Sequence, residues 1–203
     1  EYSSKRFLQA YGIPTPAEVI AASLDETLKA AERIGYPIAL KTAAGETHKS
    51  DRGGVRLHLK DAASLSEAYR DLEARFGPRV LAQQMVSEGV EIILGLVNDP
   101  QFGPMLALGM GGILVEVLKD SRLLILPTTR AEVCEALFSL RGAALLKGAR
   151  GRPAVDVEAV VNAALRLAAL AADLGGQIAA LDINPLIALP TGVVAVDALI
   201  VPM

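Results

Sequence analysis

The sequence predicts an α+β fold. Helical and strand patterns alternate along the first two-fifths of the chain, and each helix there begins with a recognisable cap. The middle third instead contains short apolar runs separated by Gly, Asn and Pro, which is typical of an antiparallel sheet. The chain has 203 residues, of which 52% are hydrophobic, so it is long enough to bury a substantial core.

In the first 80 residues, caps and periodicity predict three helices and two strands. Ser3 can cap a helix that ends at Gly12, and a capping box from Ser23 to Glu26 begins a helix that Gly35 ends. The predicted elements are helices 3–11, 23–34 and 64–76 and strands 37–41 and 55–60, the last with Val55, Leu57 and Leu59 facing inward.

In the rest of the chain, the turn residues from Asn98 to Gly103 predict a hairpin between two strands. A long helix rich in Ala and Leu is expected to be buried, because apolar residues cover much of its circumference. The predicted elements are strands 80–86, 91–97, 105–108 and 113–118, helices 129–140 and 156–173, and two further apolar runs, 178–188 and 193–201.

Composition excludes several classes of protein. With 20 basic and 23 acidic residues, the net charge of -3 gives no electrostatic reason to expect nucleic-acid binding. No apolar run approaches the ~20 residues of a membrane-spanning helix. The single Cys134 cannot form an internal disulfide or a cysteine-based metal site, which indicates a reducing, cytoplasmic setting. The first residue, Glu1, suggests a processed chain or a piece of a longer one.

The stretch 41–55 is the first candidate binding site. Lys41 ends an apolar strand, and the following loop contains Gly53 and Gly54, so a positive charge lies beside backbone that a ligand can approach closely. Phosphate suits such a place, although a solvated surface turn is the alternative. Within the loop, His48 can act as a base or as a nucleophile that is transiently modified.

The C-terminal apolar runs predict a metal site. A turn between Pro190 and Thr191 would place Asn184 directly opposite Asp197, with Asp182 two residues along on the same face. Two carboxylates and an amide carbonyl suit Mg²⁺ that is also bound by water and substrate phosphates. The alternative is that the first two satisfy loop amides while Asp197 pairs with a lysine.

Two further segments can contact a ligand. The segment 81–91 joins two strands, so its main-chain groups can bind the edge of a planar base, while Glu91 can hold a ribose hydroxyl. The four residues from Gly109 to Gly112 include three glycines, and they can lie flat against a ligand or close over it. They lack the strand-then-helix context of a dinucleotide-binding fingerprint.

Together these motifs resemble the ATP-grasp domain, or β subunit, of the NDP-forming acyl-CoA synthetases. The similarity is greatest to the ADP-forming acetyl-CoA synthetases, and succinyl-CoA synthetase β is a more distant relative. The resemblance covers nearly the whole chain and is carried by SSKRFLQAYGIPTP, IGYPIALK, HKSDRGGVRL, GVEIILGLVNDPQFGP, GMGGILVEVLKD, LDINPL and VAVDALI.

The resemblance implies an ATP-grasp fold, in which two α+β subdomains, about 1–80 and 81–203, clasp a nucleotide. It implies ATP or ADP and Mg²⁺ as cofactors. It also implies a CoA-binding partner that carries a first phosphohistidine, either as a separate subunit or within a larger chain. His48 would take phosphate from that histidine and pass it to ADP. The other implied residues are Lys5 and Lys41 at the phosphates, Gln84, Met85 and Val86 at adenine, Glu91 at ribose, Gly111 and Gly112 in the glycine-rich segment, and Asp182, Asn184 and Asp197 at Mg²⁺.

One departure from the family pattern leaves two functional hypotheses. Family members generally carry an arginine where this chain has Leu124, although Arg122 shares its face of the strand and can reach the same phosphate. The first hypothesis is an active component of an acyl-CoA synthetase. The second is a catalytically impaired domain that binds nucleotide as a regulatory module. A carboxylate-amine ligase is disfavoured by the HKSD and DPQFGP motifs.

Overall fold

The computed structural model describes residues 1–43, 53–112, 120–149, 151, 153–174 and 176–203. These residues form two compact units, a small unit of Pro16–Val86 and a large unit of Glu1–Thr15 with Ser87–Met203. This grouping differs from the expected division near residue 80 in two respects. The first 15 residues belong with the large unit, and the small unit continues to Val86.

The small unit is a four-stranded antiparallel sheet in the order β1-β4-β2-β3, with two helices on one face. The predicted strand that begins at Val80 therefore pairs within this sheet, rather than with the strands that follow it in sequence. The elements are β1 (Glu18–Ala21), α2 (Leu24–Ile34), β2 (Ile38–Thr42), β3 (Val55–Leu59), α3 (Ala62–Phe76) and β4 (Val80–Gln84).

The caps of the small unit's helices explain where those helices begin. The predicted Ser23 cap of α2 is confirmed, because the Glu26 N–H donates to Ser23 Oγ at 3.2 Å. The reciprocal half of the predicted box is not formed, because the Glu26 carboxylate accepts from the Ala22 N–H, at 2.8 Å, and not from that of Ser23. Helix α3 begins two residues before the predicted start, because the cap is Asp61. The Asp61 carboxylate accepts from the Ser64 N–H at 2.8 Å.

Strand β3 departs from its predicted alternation. Its register against β2 shifts between Arg56 and Leu59, and His58 adopts a φ of 57°, which is unusual for a residue other than glycine. The extra residue of this bulge turns Leu57 outward, so that 54% of it is exposed, while Leu59 remains buried. The expectation that Leu57 faces inward is therefore wrong.

The large unit contains a second antiparallel sheet, in the order β10-β8-β5-β6-β7, with β9 paired to β8. The elements are α1 (Tyr2–Ala10), β5 (Val90–Asp99), β6 (Gly103–Met110), β7 (Ser121–Ile125), α4 (Arg130–Phe138), a 3₁₀ helix (Arg141–Leu145), α5 (Val157–Leu174), β8 (Ile178–Ala188), β9 (Val193–Ala195) and β10 (Ala198–Pro202).

The boundaries of the large unit test the remaining predictions. The hairpin between β5 and β6 is confirmed, and the Asp99 carboxylate accepts the N–H groups of Gln101 and Phe102 in its turn. Helix α1 begins at Tyr2, so Ser3 lies inside the helix and does not cap it. The predicted strand 113–118 lies outside the described residues. Within the described part of the chain, no helix is long and apolar enough to span a membrane.

Each face of the large sheet has a different environment. One face packs against α5, where Leu94, Leu108 and Ile183 meet Leu167 in a core that is almost completely buried. We call the other face the open face. It presents the residues that alternate with this core set, among them Val97, Leu123, Asp182 and Leu199, all of which are exposed.

The two faces should respond differently to truncation. Leu94→Ala removes a side chain that is 0% exposed, and we expect a loss of about 2–5 kcal/mol in the free energy of unfolding because a cavity remains. Leu123→Ala, at an open-face position that is 58% exposed, should change it by less than about 0.5 kcal/mol. Urea unfolding measures both values. Equal losses would contradict the assignment of the faces.

Candidate functional site

The register of the C-terminal hairpin is the one that the sequence predicts. Asp182 on β8 pairs with Leu199 on β10, and the Asn184 N–H donates to the Asp197 carbonyl at 3.2 Å. Asn184 and Asp197 are therefore directly opposite each other.

This register brings the three predicted metal ligands onto the open face. Asp182 and Asn184 are exposed, whereas Leu181 and Ile183 beside them in β8 are 2% and 0% exposed. Asp197 is half-buried and lies opposite Asn184. The alternation thus separates two carboxylates and an amide from the core residues of the same hairpin.

The electrostatics of the hairpin favour a bound cation. Partial burial raises the pKa of Asp182, and the negative charge of Asp197 raises it further. Gly95 pairs with Asp182 on the neighbouring strand, where an added Cβ would lie 3.0 Å from the Leu181 carbonyl and 3.9 Å from Asp182 Oδ1, so only glycine leaves the backbone beside the carboxylate uncrowded. Two repelling carboxylates with an amide oxygen form a donor set that suits Mg²⁺.

The amide is essential to this assignment. Among the described residues, no group of three or more His, Cys, Asp or Glu could hold a metal ion. The candidate site therefore consists of two carboxylates completed by Asn184, and the remaining ligands of a six-coordinate Mg²⁺ would be water and phosphate oxygens.

Lys5 contacts the C-terminal hairpin that carries the three predicted metal ligands. Its side chain is 0% exposed, and its ammonium donates to Glu1 Oε1 at 2.8 Å and to the Val196 carbonyl at 3.1 Å. Because Val196 directly precedes Asp197, the lysine holds the backbone next to a predicted ligand. Direct contact of Lys5 with nucleotide phosphates stays a prediction.

A cleft of about 200 Å³ joins the predicted ribose ligand to the glycine-rich segment. The Gly111 N–H donates to the Glu91 carbonyl at 2.7 Å, and a Cβ at Gly111 would lie 2.8 Å from Glu91 Cβ. A Cβ at Gly112 would lie 2.9 Å from Glu91 Oε2. Both glycines are therefore needed where the segment passes Glu91. The lining residues are Gly89, Val90, Glu91, Met110, Gly111, Gly112, Leu145 and Ala149.

In the small unit, Lys41 is buried on the face of the sheet that is opposite the helices. It is 4% exposed and pairs with Leu81, while Ile38 and Leu40 of the same strand belong to the core beneath the helices. Gln83 lies on the same face as Lys41 and is 1% exposed. The sequence interpretation missed Gln83, although its alternation with Leu81 could have indicated it.

The segment 84–86 offers fewer free main-chain groups than predicted. The Gln84 N–H donates to the Ala17 carbonyl at 2.8 Å, and the Met85 N–H donates to the Pro37 carbonyl at 3.3 Å. These two N–H groups extend the pairing of the sheet, while the binding of adenine by this segment stays a prediction. Val86 makes no main-chain hydrogen bond to any residue that the structure describes. His48 lies in 44–52, outside the described residues.

Arg122 is held at the helices beside the large sheet. Its guanidinium donates to Ser139 Oγ at 2.9 Å and to the Ser139 carbonyl at 2.7 Å, at the end of α4. Leu124, on the same face, packs against the core. Arg122 is the only Lys or Arg in strands β5 to β10, and it points toward the helices. Contact of Arg122 with a phosphate stays a prediction.

The open face consequently carries acidic side chains and no basic ones among the described strand residues. Asp182 and Glu91 lie on strands of this face, and Asp197 lies between β9 and β10. A polyphosphate brought to this surface would meet negative charge, so a cation is needed to join the two.

Comparisons with known proteins agree on one family. A family model described as an ATP-grasp domain matches residues 1–201. The β subunit of ADP-forming acetate–CoA ligase II from Pyrococcus furiosus is 38% identical over 214 residues, which cover 99% of this chain and 90% of that subunit. ADP-forming acetate–CoA ligase I from Archaeoglobus fulgidus is 38% identical over 198 residues, which cover 94% of this chain but 29% of that protein.

A solved structure extends the agreement to three dimensions. Dinucleotide forming acetyl-coenzyme A synthetase 1 from Ca. Korarchaeum cryptofilum is 34% identical, with a TM-score of 0.88 and coverage of 100% of this chain and 92% of that one. That structure is a complex with coenzyme A and Mg-AMPPCP, and its phosphohistidine segment points towards the nucleotide binding site.

The raised pKa of Asp182 predicts a gain in stability when its charge is removed. As pH rises from the ordinary range of aspartate, about 3.9, through the raised folded-state value, the folded protein retains the proton longer than the unfolded chain, so stability falls. We expect Asp182→Asn in EDTA to unfold at higher urea concentration than wild type at pH 7, with the difference shrinking toward pH 4.

Glu67→Gln, at an exposed position on α3, is the matched control and should show no such pH-dependent gain. A midpoint for Asp182→Asn at or below that of wild type at pH 7 would contradict the proposed repulsion.

Proposed function

Because this chain belongs to the ATP-grasp domain family, we propose that it is the nucleotide-binding and phosphoryl-transfer part of an ADP-forming acyl-CoA synthetase. The reaction is acid + CoA + ATP = acyl-CoA + ADP + phosphate. The observation that carries the proposal is the hairpin register, which places Asp182, Asn184 and Asp197 together on an open face with a carboxylate whose pKa is raised. The 38% identity to a β subunit of similar length supports the same assignment.

Asp182, Asn184 and Asp197 are the proposed ligands of Mg²⁺. When bound, the ion would neutralise the phosphate charge that the acidic open face cannot balance. The backbone of the three residues is held before binding by the strand pairing, and Lys5 donates to the carbonyl next to Asp197 at 3.1 Å. Little reorganisation is then needed when a nucleotide arrives.

The nucleotide itself has proposed partners in each unit. In the large unit, Glu91 accepts a hydrogen bond from a ribose hydroxyl, while Gly111 and Gly112 let the ligand approach the backbone. In the small unit, Lys41 binds phosphate and the main-chain groups of Val86 bind the adenine edge. The buried position of Lys41 strengthens its interaction with phosphate, since less water screens the charge.

We also propose His48 as the phosphate carrier, on the strength of the HKSD-x-GGV motif. A phosphoryl group on its imidazole would pass to ADP, and the group would come from a histidine on a CoA-binding partner. The β-subunit relative and the larger relative, of which this chain covers only 29%, support a partner that is a separate subunit or part of a longer chain. A cytoplasmic location stays a prediction.

A catalytically impaired regulatory module is the second candidate. It is favoured by Leu124, which packs into the core, and by Arg122, which is held at Ser139. If phosphoryl transfer needs a guanidinium from this strand, the chain would bind nucleotide without transferring phosphate.

Metal-dependent nucleotide binding tests the first part of the proposal. We expect Asp182→Asn and Asp197→Asn to weaken Mg-ADP binding at least about tenfold, because each removes a carboxylate from the cation while the fold persists. Calorimetry with and without Mg²⁺ measures the effect. Glu67→Gln should bind like wild type. The assignment is wrong if both aspartate variants keep the full Mg²⁺ dependence.

Phosphate transfer tests the second part. The chain has two histidines, so His58→Ala is a matched control for His48→Ala. With Mg-[γ-³²P]ATP and the CoA-binding partner, wild type and His58→Ala should acquire acid-labile label, and His48→Ala should acquire none. Label on His48→Ala would contradict the carrier role. Wild-type protein that binds Mg-ADP but takes no label would favour the regulatory module.

A further inference from the structure

Asp120 is a buried acid that the functional assignments above do not use. Its side chain is 2% exposed. Oδ1 accepts the Arg141 N–H at 3.0 Å, and Oδ2 accepts the Gly142 N–H at 2.9 Å. One carboxylate therefore holds the first two residues of the 3₁₀ helix, which lies 21 residues further along the chain.

The main chain of Asp120 is fixed to the other side of the same cleft. Its carbonyl accepts the Met110 N–H at 3.1 Å. The 3₁₀ helix in turn packs tightly on that strand, because a Cβ at Gly142 would lie 2.6 Å from Met110 Cγ. Asp120 thus connects the strand that contributes Met110 and Gly111 to the cleft with the segment that contributes Leu145 and Ala149.

The charge state of Asp120 suits this role. Burial alone would raise its pKa, but the two backbone hydrogen bonds outweigh burial, and the charge of Arg122 nearby adds to them, so the net pKa is lowered. An ionised carboxylate accepts both N–H groups, and hydrogen bonds to a charged acceptor are stronger than those to a neutral one.

We propose that Asp120 is a positioning residue that holds residues 141–149 as one wall of the Glu91 cleft and thereby sets the affinity for nucleotide. The inference rests on the proposed function, in which this cleft receives the ribose. If the wall is formed for only a fraction of the time, the apparent dissociation constant rises by the inverse of that fraction. Asp120 does not contact the reacting phosphates in this assignment, so the chemical step should be little affected.

The test uses Asp120→Asn and Asp120→Ala in the full-length protein. Asparagine can still accept one N–H through its amide oxygen, whereas alanine accepts none. We expect the dissociation constant for Mg-ADP to rise about threefold in Asp120→Asn and about tenfold in Asp120→Ala. With the partner present, KM for the nucleotide should rise while kcat and KM for CoA stay within about twofold. Hydrogen exchange at the Arg141 and Gly142 amides should accelerate in the same order.

Asp156→Asn is the matched control. The Asp156 carboxylate also accepts two backbone N–H groups, from Ala159 and Gly192, each at 2.9 Å, but Asp156 does not line the cleft. It should lower stability without changing nucleotide affinity by more than about twofold. An equal loss of affinity in Asp156→Asn would overturn the inference, because general loosening would then explain the result.

The outcomes separate the inference from the proposed function. Wild-type affinity in folded Asp120→Asn, with the amides of residues 141 and 142 exchanging faster, overturns the inference alone. Failure of the wild-type protein to bind Mg-ADP overturns the proposed function and the inference with it.

Discussion

The antiparallel register between Asn184 and Asp197 is the constraint on which the candidate site depends. Successive side chains of a strand point to opposite faces, so a shift of one residue would exchange every exposed residue of β8 for a buried one. Leu181 and Ile183, at 2% and 0% exposure, oppose such a shift because it would expose them and bury a carboxylate. The hydrophobic core therefore fixes the register, and the register fixes the ligands.

That arrangement destabilises the folded protein electrostatically, and other interactions in the large unit offset this effect. Burial raises the pKa of Asp182, and repulsion by the negative charge of Asp197 raises it further. Strand pairing on both edges of β8 and the Lys5 hydrogen bond to Val196 hold the hairpin despite this repulsion. In the proposed assignment, a cation that removes the repulsion would meet ligands whose backbone is already in place, so the geometry that lowers the stability of the metal-free protein would raise its affinity for the metal.

Features that depend on residues close together in the sequence were predicted better than features that depend on contacts between distant residues. The hairpin register and the Ser23 cap of α2 follow from residues that are close in sequence, and both are confirmed. The bulge at His58 was not predicted, because alternation alone cannot show where an extra residue enters a strand. The hydrogen bonds of Asp120 were also missed, since nothing near it in sequence indicates acceptance from residues 21 positions away.

The open face also explains why one missing arginine bears on function. In the strands that the structure describes, Arg122 is the only basic residue of the large sheet, and the phase of β7 directs it to the end of α4. In the proposed assignment, a metal ion on this face would attract the phosphates, because the described strands of the large sheet offer them no basic side chain. Phosphoryl transfer has a further requirement, because the charge that develops on the moving phosphoryl group must be stabilised at a defined position. Binding by this face is thus compatible with both functional candidates, and only the fate of the phosphate at His48 separates them.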